Sequence, residues 1–152
     1  MKYLDARILY AEDDADTREL VTVIFESQNC QVIATEICDE ALCLARTERF
    51  DLYLIDNWLP GCSGVSLCEQ LREFDQHTPV LFYSAAAYEA DRERAFLSGA
   101  QGYLVKPVDG EELVAAVFRL ISASRESLMK TVWPRMNANK NGSETRQQTA
   151  GE

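Results

Sequence analysis

The chain has 152 residues, 47% of them hydrophobic and 26% charged, with 7 Gly and 4 Pro, a profile that fits one ordinary globular domain. Acids outnumber bases by 25 to 15, and unevenly: residues 1–122 carry 22 acidic and 10 basic groups, residues 123–152 carry 3 and 5. That balance repels DNA phosphates and anionic lipid, and the longest apolar run, Leu113 to Phe118, is far short of the roughly 20 residues of a membrane span, so neither nucleic acid nor membrane is an expected partner.

Met1 to Asp5 lacks the apolar core of a secretory signal, which leaves the cytoplasm as the expected location. The five cysteines, Cys30, Cys38, Cys43, Cys62 and Cys68, are odd in number and form no C-x-x-C pair. They read as small buried hydrophobes in a reducing compartment, without a disulfide framework or a zinc site, and only Cys62 lies in a Gly-bounded loop that suggests exposure.

In chain order, Ile8–Ala11 reads as a first buried strand, and Asp14 or Asp16 can cap a following helix in which Leu20, Val21, Ile24 and Phe25 recur at helical spacing. Val32–Ala34 is a second strand; Asp39 can cap a helix reaching about Glu48. Leu52–Ile55 is a third, and a helix after Gly64 aligns Val65, Cys68 and Leu71. Val80–Tyr83 is a fourth, with a mostly polar helix from about Tyr88 to Leu97. After Tyr103–Val105, Asp109 and Glu112 have the spacing of a capping box for a helix burying Leu113, Val117, Leu120 and Ile121.

The strands run apolar without alternation, as strands covered on both faces do. Five strands alternating with five helices predict right-handed crossovers and hence a doubly wound five-stranded parallel sheet with helices on both faces. From residue 130 the composition turns to Asn, Lys, Ser, Gln, Thr and Gly, so the expected organisation is one domain over 1–129 and a flexible polar tail over 130–152, with no second folded module.

Ligands of such a sheet bind beyond the carboxyl ends of its strands. The first strand is followed there by Glu12, Asp13 and Asp14, the third by Asp56, the fourth by Ser84 and the fifth by Lys106. Carboxylates this close repel by several kcal/mol, about 4 for two charges ~4 Å apart at an effective dielectric near 20, so a cation must sit among them. An all-oxygen donor set favours a hard ion, Mg²⁺ or alternatively Mn²⁺, and leaves Lys106 and Ser84 to hold a phosphoryl group. Taken singly, Asp13 and Asp14 also read as helix caps, Ser84 as a turn residue and Tyr103 as core. Asp56 is harder to place otherwise, because a carboxylate that ends a buried strand needs a partner. The single histidine, His77, precedes a turn and is expected at the surface, outside any relay.

Four segments together resemble the receiver domain of two-component response regulators: Ile8 to Asp14; Asp51 to Asp56 with Leu59-Pro60-Gly61 and Gly64; Thr78-Pro79-Val80 leading to Ser84-Ala85; and Gly102 to Pro107. The resemblance covers residues 7 to about 122. It implies a flavodoxin-like fold of strand order 2-1-3-4-5 and a stand-alone signalling phosphoacceptor rather than an enzyme. It also implies that Asp56 takes the phosphoryl group of a phosphohistidine on a sensor histidine kinase or histidine phosphotransfer protein. Asp13 and Glu12, with Asp56 and the carbonyl of Trp58, would hold the metal. Ser84 and Lys106 would contact the phosphoryl oxygens, and Ser84 and Tyr103 would form the switch. The output would be protein contact, with an unidentified downstream protein or as a homodimer through helix 4, strand 5 and helix 5.

Two positions depart from the family pattern: Glu12, where Asp is more usual, and Trp58, which is large for its place. They keep open a pseudo-receiver that is never phosphorylated. A phosphatase of the haloacid dehalogenase type is the enzymatic rival, but that family has an Asp two residues after its nucleophile, where this chain has Trp58.

Overall fold

A computed structural model describes the backbone of residues 5–144 and the side chains of residues 5–132. The described residues form seven strands and five helices, in the order β1 (Arg7–Ala11), α1 (Ala15–Glu26), β2 (Gln31–Thr35), α2 (Cys38–Thr47), β3 (Leu52–Ile55), β4 (Trp58–Leu59), β5 (Cys62–Ser63), α3 (Gly64–Arg72), β6 (Val80–Ser84), α4 (Glu89–Ser98), β7 (Gly102–Val105) and α5 (Gly110–Glu144). Contacts divide the chain into two units, residues 1–121 and 122–152.

In the first unit, β2, β1, β3, β6 and β7 form one parallel sheet in that order, which is the expected 2-1-3-4-5 when its five strands alone are counted. Ile8, Tyr10, Leu52, Leu54, Leu81 and Tyr83 pack with Val21 and Phe25 of α1 and with Leu113, Val117 and Ile121 of α5. Leu9, Ala11, Tyr53, Ile55, Val80 and Phe82 face the other way, toward Ala41 and Leu42 of α2, Leu67 and Leu71 of α3 and Ala95 of α4. Adjacent residues of one strand enter different cores, which is why these strands read as unbroken apolar runs.

Helix starts follow local chemistry. Asp14 caps α1 by accepting from the Thr17 amide at 2.9 Å, Ser63 caps α3 through the Ser66 amide at 3.0 Å, and Asp109 accepts from the Glu112 amide at 2.8 Å. The expected cap at Asp39 does not form: α2 begins at Cys38, two residues earlier than a helix capped by Asp39 would, after an Ile37 that offers no side-chain cap, and Asp39 and Glu40 lie instead in the first turn, where the helix dipole favours acids.

Three other features depart from expectation. A two-stranded antiparallel hairpin follows Asp56: β4 and β5 pair Trp58 with Ser63 and Leu59 with Cys62, and Gly61 takes the positive φ of 80° that its turn requires. Cys38 and Cys62 form a disulfide with a Cα–Cα separation of 6.4 Å, correcting the expectation of thiols throughout; 24 positions apart, they meet because α2 and the hairpin are neighbours at one edge of the fold. Finally, α5 runs to Glu144, past the expected tail boundary at 130. Good helix formers (Ala123, Arg125, Glu126, Leu128, Met129, Lys130) carry it on. In the second unit this helix exposes Leu128, Met129 and Val132; the rest of the expected tail, 145–152, lies outside the described residues. Among the described residues no helix is long and apolar enough to cross a membrane.

Candidate acidic site at the carboxyl edge of the sheet

Sheet register assembles the site. Ala11 pairs with Ile55, so Glu12 and Asp56 emerge side by side from the neighbouring strands β1 and β3; Ser84 pairs with Val105, and Lys106 follows it at the end of β7, on the far side of β6. Backbone bonds extend the ladder one step further: the Asp56 amide donates to the Ala11 carbonyl at 3.0 Å, that of Glu12 to Thr35 at 2.9 Å, and that of Lys106 to Ser84 at 2.9 Å. The positions of Glu12, Asp56 and Lys106 are thus fixed by the rigid sheet.

One carboxylate oxygen from each of Glu12, Asp13 and Asp56 lies within 4.8 Å of the others. Asp13 is exposed, Asp56 is 6% exposed and Glu12 fully buried. Lys106 lies among them, its ammonium hydrogen-bonded to Glu12 Oε1 and 3.6 Å from Asp56 Oδ2. The other Asp56 oxygen, Oδ1, is buried without a hydrogen-bond partner. A buried carboxylate oxygen left unpaired costs free energy, and an all-oxygen trio of acids with one orphaned acceptor fits a hard divalent cation.

The electrostatics follow from this packing. Burial holds the Glu12 carboxyl up at about 7; the bond from Lys106 opposes that shift and the neighbouring Asp56 adds to it. Burial alone would lower the Lys106 ammonium, but its bond to Glu12 and the charges of Asp56 and Glu12 hold it above the usual lysine range. Tyr10, whose hydroxyl donates to Glu12 Oε1 at 3.3 Å, is raised by burial and then by the Glu12 charge.

The structure brings Glu12, Asp13, Asp56 and Lys106 together. Ser84 is fully buried at the adjacent strand end, where its Oγ accepts from the Ala86 amide at 3.2 Å, the turn role left open above. Tyr103 is buried with its ring stacked on Phe82 at 5.7 Å, and its hydroxyl donates to the Ala86 carbonyl at 2.6 Å. Ser84 and Tyr103 therefore hold opposite polar groups of the same residue. The Trp58 side chain is 65% exposed on the hairpin, and His77 is exposed.

Several contributors carry no sequence signal of their own. Tyr10 reads as one more apolar strand residue. Arg18 reaches back from α1 to the carbonyls of Glu12 at 3.0 Å and Asp13 at 3.3 Å. Tyr83 places its ring 5.5 Å from the Lys106 ammonium. Gly64 leaves no room for a side chain: a Cβ there would lie 2.5 Å from the Asp56 carbonyl oxygen and 2.9 Å from Asn57 Cα.

A doubly wound α/β domain with three acids, a lysine and a buried hydroxyl at the carboxyl ends of its strands defines a class of strand-end acidic-site proteins. Within it, the profile of the response regulator receiver domain matches residues 8–118, and the chain belongs to that family. It is similar to the transcriptional regulatory protein ResD of Bacillus subtilis, 33% identical over 134 residues, covering 88% of this chain and 55% of ResD. The phosphate regulon transcriptional regulatory protein PhoB of Escherichia coli is 37% identical over 121 residues, covering 76% and 53%. The chain spans about half the length of these curated relatives. Among solved structures it resembles the receiver domain of Francisella response regulator 1452, with 29% identity, a TM-score of 0.74 and coverage of 78% of this chain and 98% of that one. The receiver domain of the sensor histidine kinase PA1611 from Pseudomonas aeruginosa, which has a magnesium ion coordinated in its active site cleft, aligns with 26% identity, a TM-score of 0.73 and coverage of 78% and 99%.

Proposed function

We propose that this protein accepts a phosphoryl group on Asp56 from a phosphohistidine of a sensor histidine kinase or histidine phosphotransfer protein, and passes the signal on by protein contact. The observation that carries this reading is Asp56 itself: buried at a strand end, one oxygen unpartnered, the other 3.6 Å from Lys106, and clustered with two further acids.

An Asp56 carboxylate oxygen attacks phosphorus in line with the leaving imidazole. The new P–O bond forms as the P–N bond breaks, and the electron pair leaves on the imidazole nitrogen. A carboxylate is a weak nucleophile, so alignment and charge neutralisation supply the acceleration. The sheet provides alignment by pinning the Asp56 backbone. Lys106 provides charge, exchanging part of its contact with Glu12 for a phosphoryl oxygen. Glu12, Asp13, Asp56 and the Trp58 carbonyl would hold Mg²⁺ or Mn²⁺, which when bound offsets the charge of the phosphoryl oxygens. The Ser84 hydroxyl, accepting from Ala86 but with its own proton free to be redirected, donates to another phosphoryl oxygen. Any shift of Ser84 is felt by Tyr103 through Ala86, which couples the modification to the loop before α4.

The chain is a signalling phosphoacceptor that assists its own phosphorylation and dephosphorylation, and its donor places it in the cytoplasm. The output surface is assigned to α4, β7 and the first part of α5, where Tyr88 and Leu97 are strongly exposed, meeting a downstream protein or a second copy. A receiver domain over residues 1–129 suffices for this function. The test is incubation with a small acyl phosphate with and without Mg²⁺, followed by intact-mass spectrometry. One added phosphoryl group is expected, dependent on the metal and lost in Asp56→Asn; labelling that survives the substitution would overturn the assignment.

A further inference from the structure

The disulfide joins two elements that the phosphoacceptor chemistry does not otherwise connect. Cys38 is the first residue of α2 and is buried; Cys62 is on β5, the outer half of the hairpin that follows Asp56, and is half-exposed. Their Cα atoms are 6.4 Å apart, within the range a disulfide spans without backbone movement. Cys30, Cys43 and Cys68 remain thiols, so the pairing is specific to one edge of the molecule.

The hairpin rests on the core through Leu59 and Cys62 and is held at two further points. At its base the Gly64 amide donates to the Asn57 carbonyl at 2.9 Å, and Gly64 packs under the Asp56 backbone. At its far strand the only covalent restraint is the bond to Cys38. Trp58 pairs with Ser63, the residue next to Cys62, so it moves with whatever holds β5.

We propose that Cys38 and Cys62 form a reversible redox tether that fixes the β4–β5 hairpin in the oxidised protein and releases it in the reduced one, and so sets the readiness of Asp56 for phosphorylation. The second half of this proposal rests on the phosphoacceptor reading above. The co-reactants are a low-molecular-weight disulfide of the glutathione type and the matching thiol. In oxidation, one protein thiolate attacks a sulfur of the small disulfide and releases one small thiolate. The second protein thiolate attacks the mixed disulfide and releases the other. Two protein thiols are oxidised, one small disulfide is reduced, and the two thiol protons pass to the two small thiolates. Reduction reverses both steps. Cys62, the less buried residue of the pair, is the more accessible point of attack.

The experiment uses the full chain, equilibrated at a series of reduced-to-oxidised glutathione ratios, quenched by alkylation and mapped by peptide mass. A Cys38–Cys62 linked peptide that rises with the oxidised fraction is expected. Alkylation of both residues at every ratio, or linkage of either to Cys43, would overturn the tether. Hydrogen exchange of the amides of residues 58–63 should speed up roughly tenfold on reduction, as local opening becomes easier. Unchanged exchange would overturn the claim that the bond restrains the hairpin. Acyl-phosphate labelling at limiting Mg²⁺ should slow about threefold on reduction, as pre-organisation is lost, and equal rates in the two states would overturn the regulatory half. Cys62→Ser should behave like the reduced protein under all conditions; it replaces a half-exposed residue, whereas Cys38→Ser alters a buried one. If neither redox form is labelled, the phosphoacceptor reading fails, while linkage and exchange still decide the tether.

Discussion

Replacing Gly64 with Ala probes how closely the chain must approach Asp56, the proposed phosphoacceptor. The new Cβ would stand 2.5 Å from the Asp56 carbonyl oxygen, 2.9 Å from Asn57 Cα and 2.9 Å from Phe82 Cε2. Two of these neighbours are backbone, which no rotamer change relieves, and the Phe82 ring is stacked on Tyr103. Relief therefore requires the Asp56–Asn57 backbone to retreat by several tenths of an ångström. Overpacking of this kind costs about 1–3 kcal/mol, and alanine regains up to about 1 kcal/mol of helix propensity. A net loss of about 1–2 kcal/mol is expected, or roughly 4–8 °C in melting temperature for a domain of this size. Because the displaced backbone carries Asp56, the proposed nucleophile, phosphorylation by acyl phosphate should fall on the order of tenfold. Gly61→Ala is the control: nothing lies within 4 Å of its Cβ, but its φ of 80° makes any side chain cost about 1–2 kcal/mol, so stability should drop while phosphorylation holds. Thermal melts and intact-mass time courses of the two variants, side by side, decide the matter. A Gly64→Ala protein that melts within a degree of the parent and is phosphorylated at the parent's rate would refute the close-approach argument.

Two further outcomes follow from the hydrogen-bond geometry. Lys106→Ala removes a cation that neighbours the acids, so Mg²⁺ affinity measured by Trp58 fluorescence, in a Trp133→Phe background, should hold or rise while phosphorylation falls; a collapse of affinity would mean that Lys106 organises the metal ligands. Burial alone would raise the Asp75 carboxyl, but bonds from the Thr78 and Tyr53 hydroxyls and the amides of Thr78 and His77 hold it down at about 2. Its stabilisation is therefore complete above its unfolded value near 3.8 and lost as pH falls through 2. Asp75→Asn should be less stable than the parent at pH 6 in urea titrations, and the gap should close toward pH 2; a gap that does not change with pH would show that the contact does not depend on charge.

The sheet and its acidic edge were legible in the sequence for a common reason. Strands covered on both faces are apolar throughout, so the first charged residue after each marks the carboxyl edge, and Glu12, Asp56 and Lys106 stand out there. Cys38 and Cys62 were not legible as a pair, because only the placement of α2 beside the hairpin brings them together. The hairpin strands are two residues each, too short for any periodicity to show. The share of Lys106 between Glu12 and Asp56 also depends on three dimensions, since both acids sit at the same edge and only side-chain reach and burial choose between them. The extension of α5 was masked by a polar composition that reads equally as tail or as solvated helix.

Alternation along the strands has a consequence for how such a protein can diversify. Tyr10 and Tyr83, which border Glu12 and Lys106, belong to the core shared with α1 and α5, whereas Phe82 and Tyr103 belong to the core shared with α2, α3 and α4. The sheet acts as a partition, with the residues that steady the charges on one side and the aromatic tied to the loop before α4 on the other. If the proposed output surface on the α4 side is the one that meets partners, substitutions there can reshape what it recognises while the packing behind the acids stays intact.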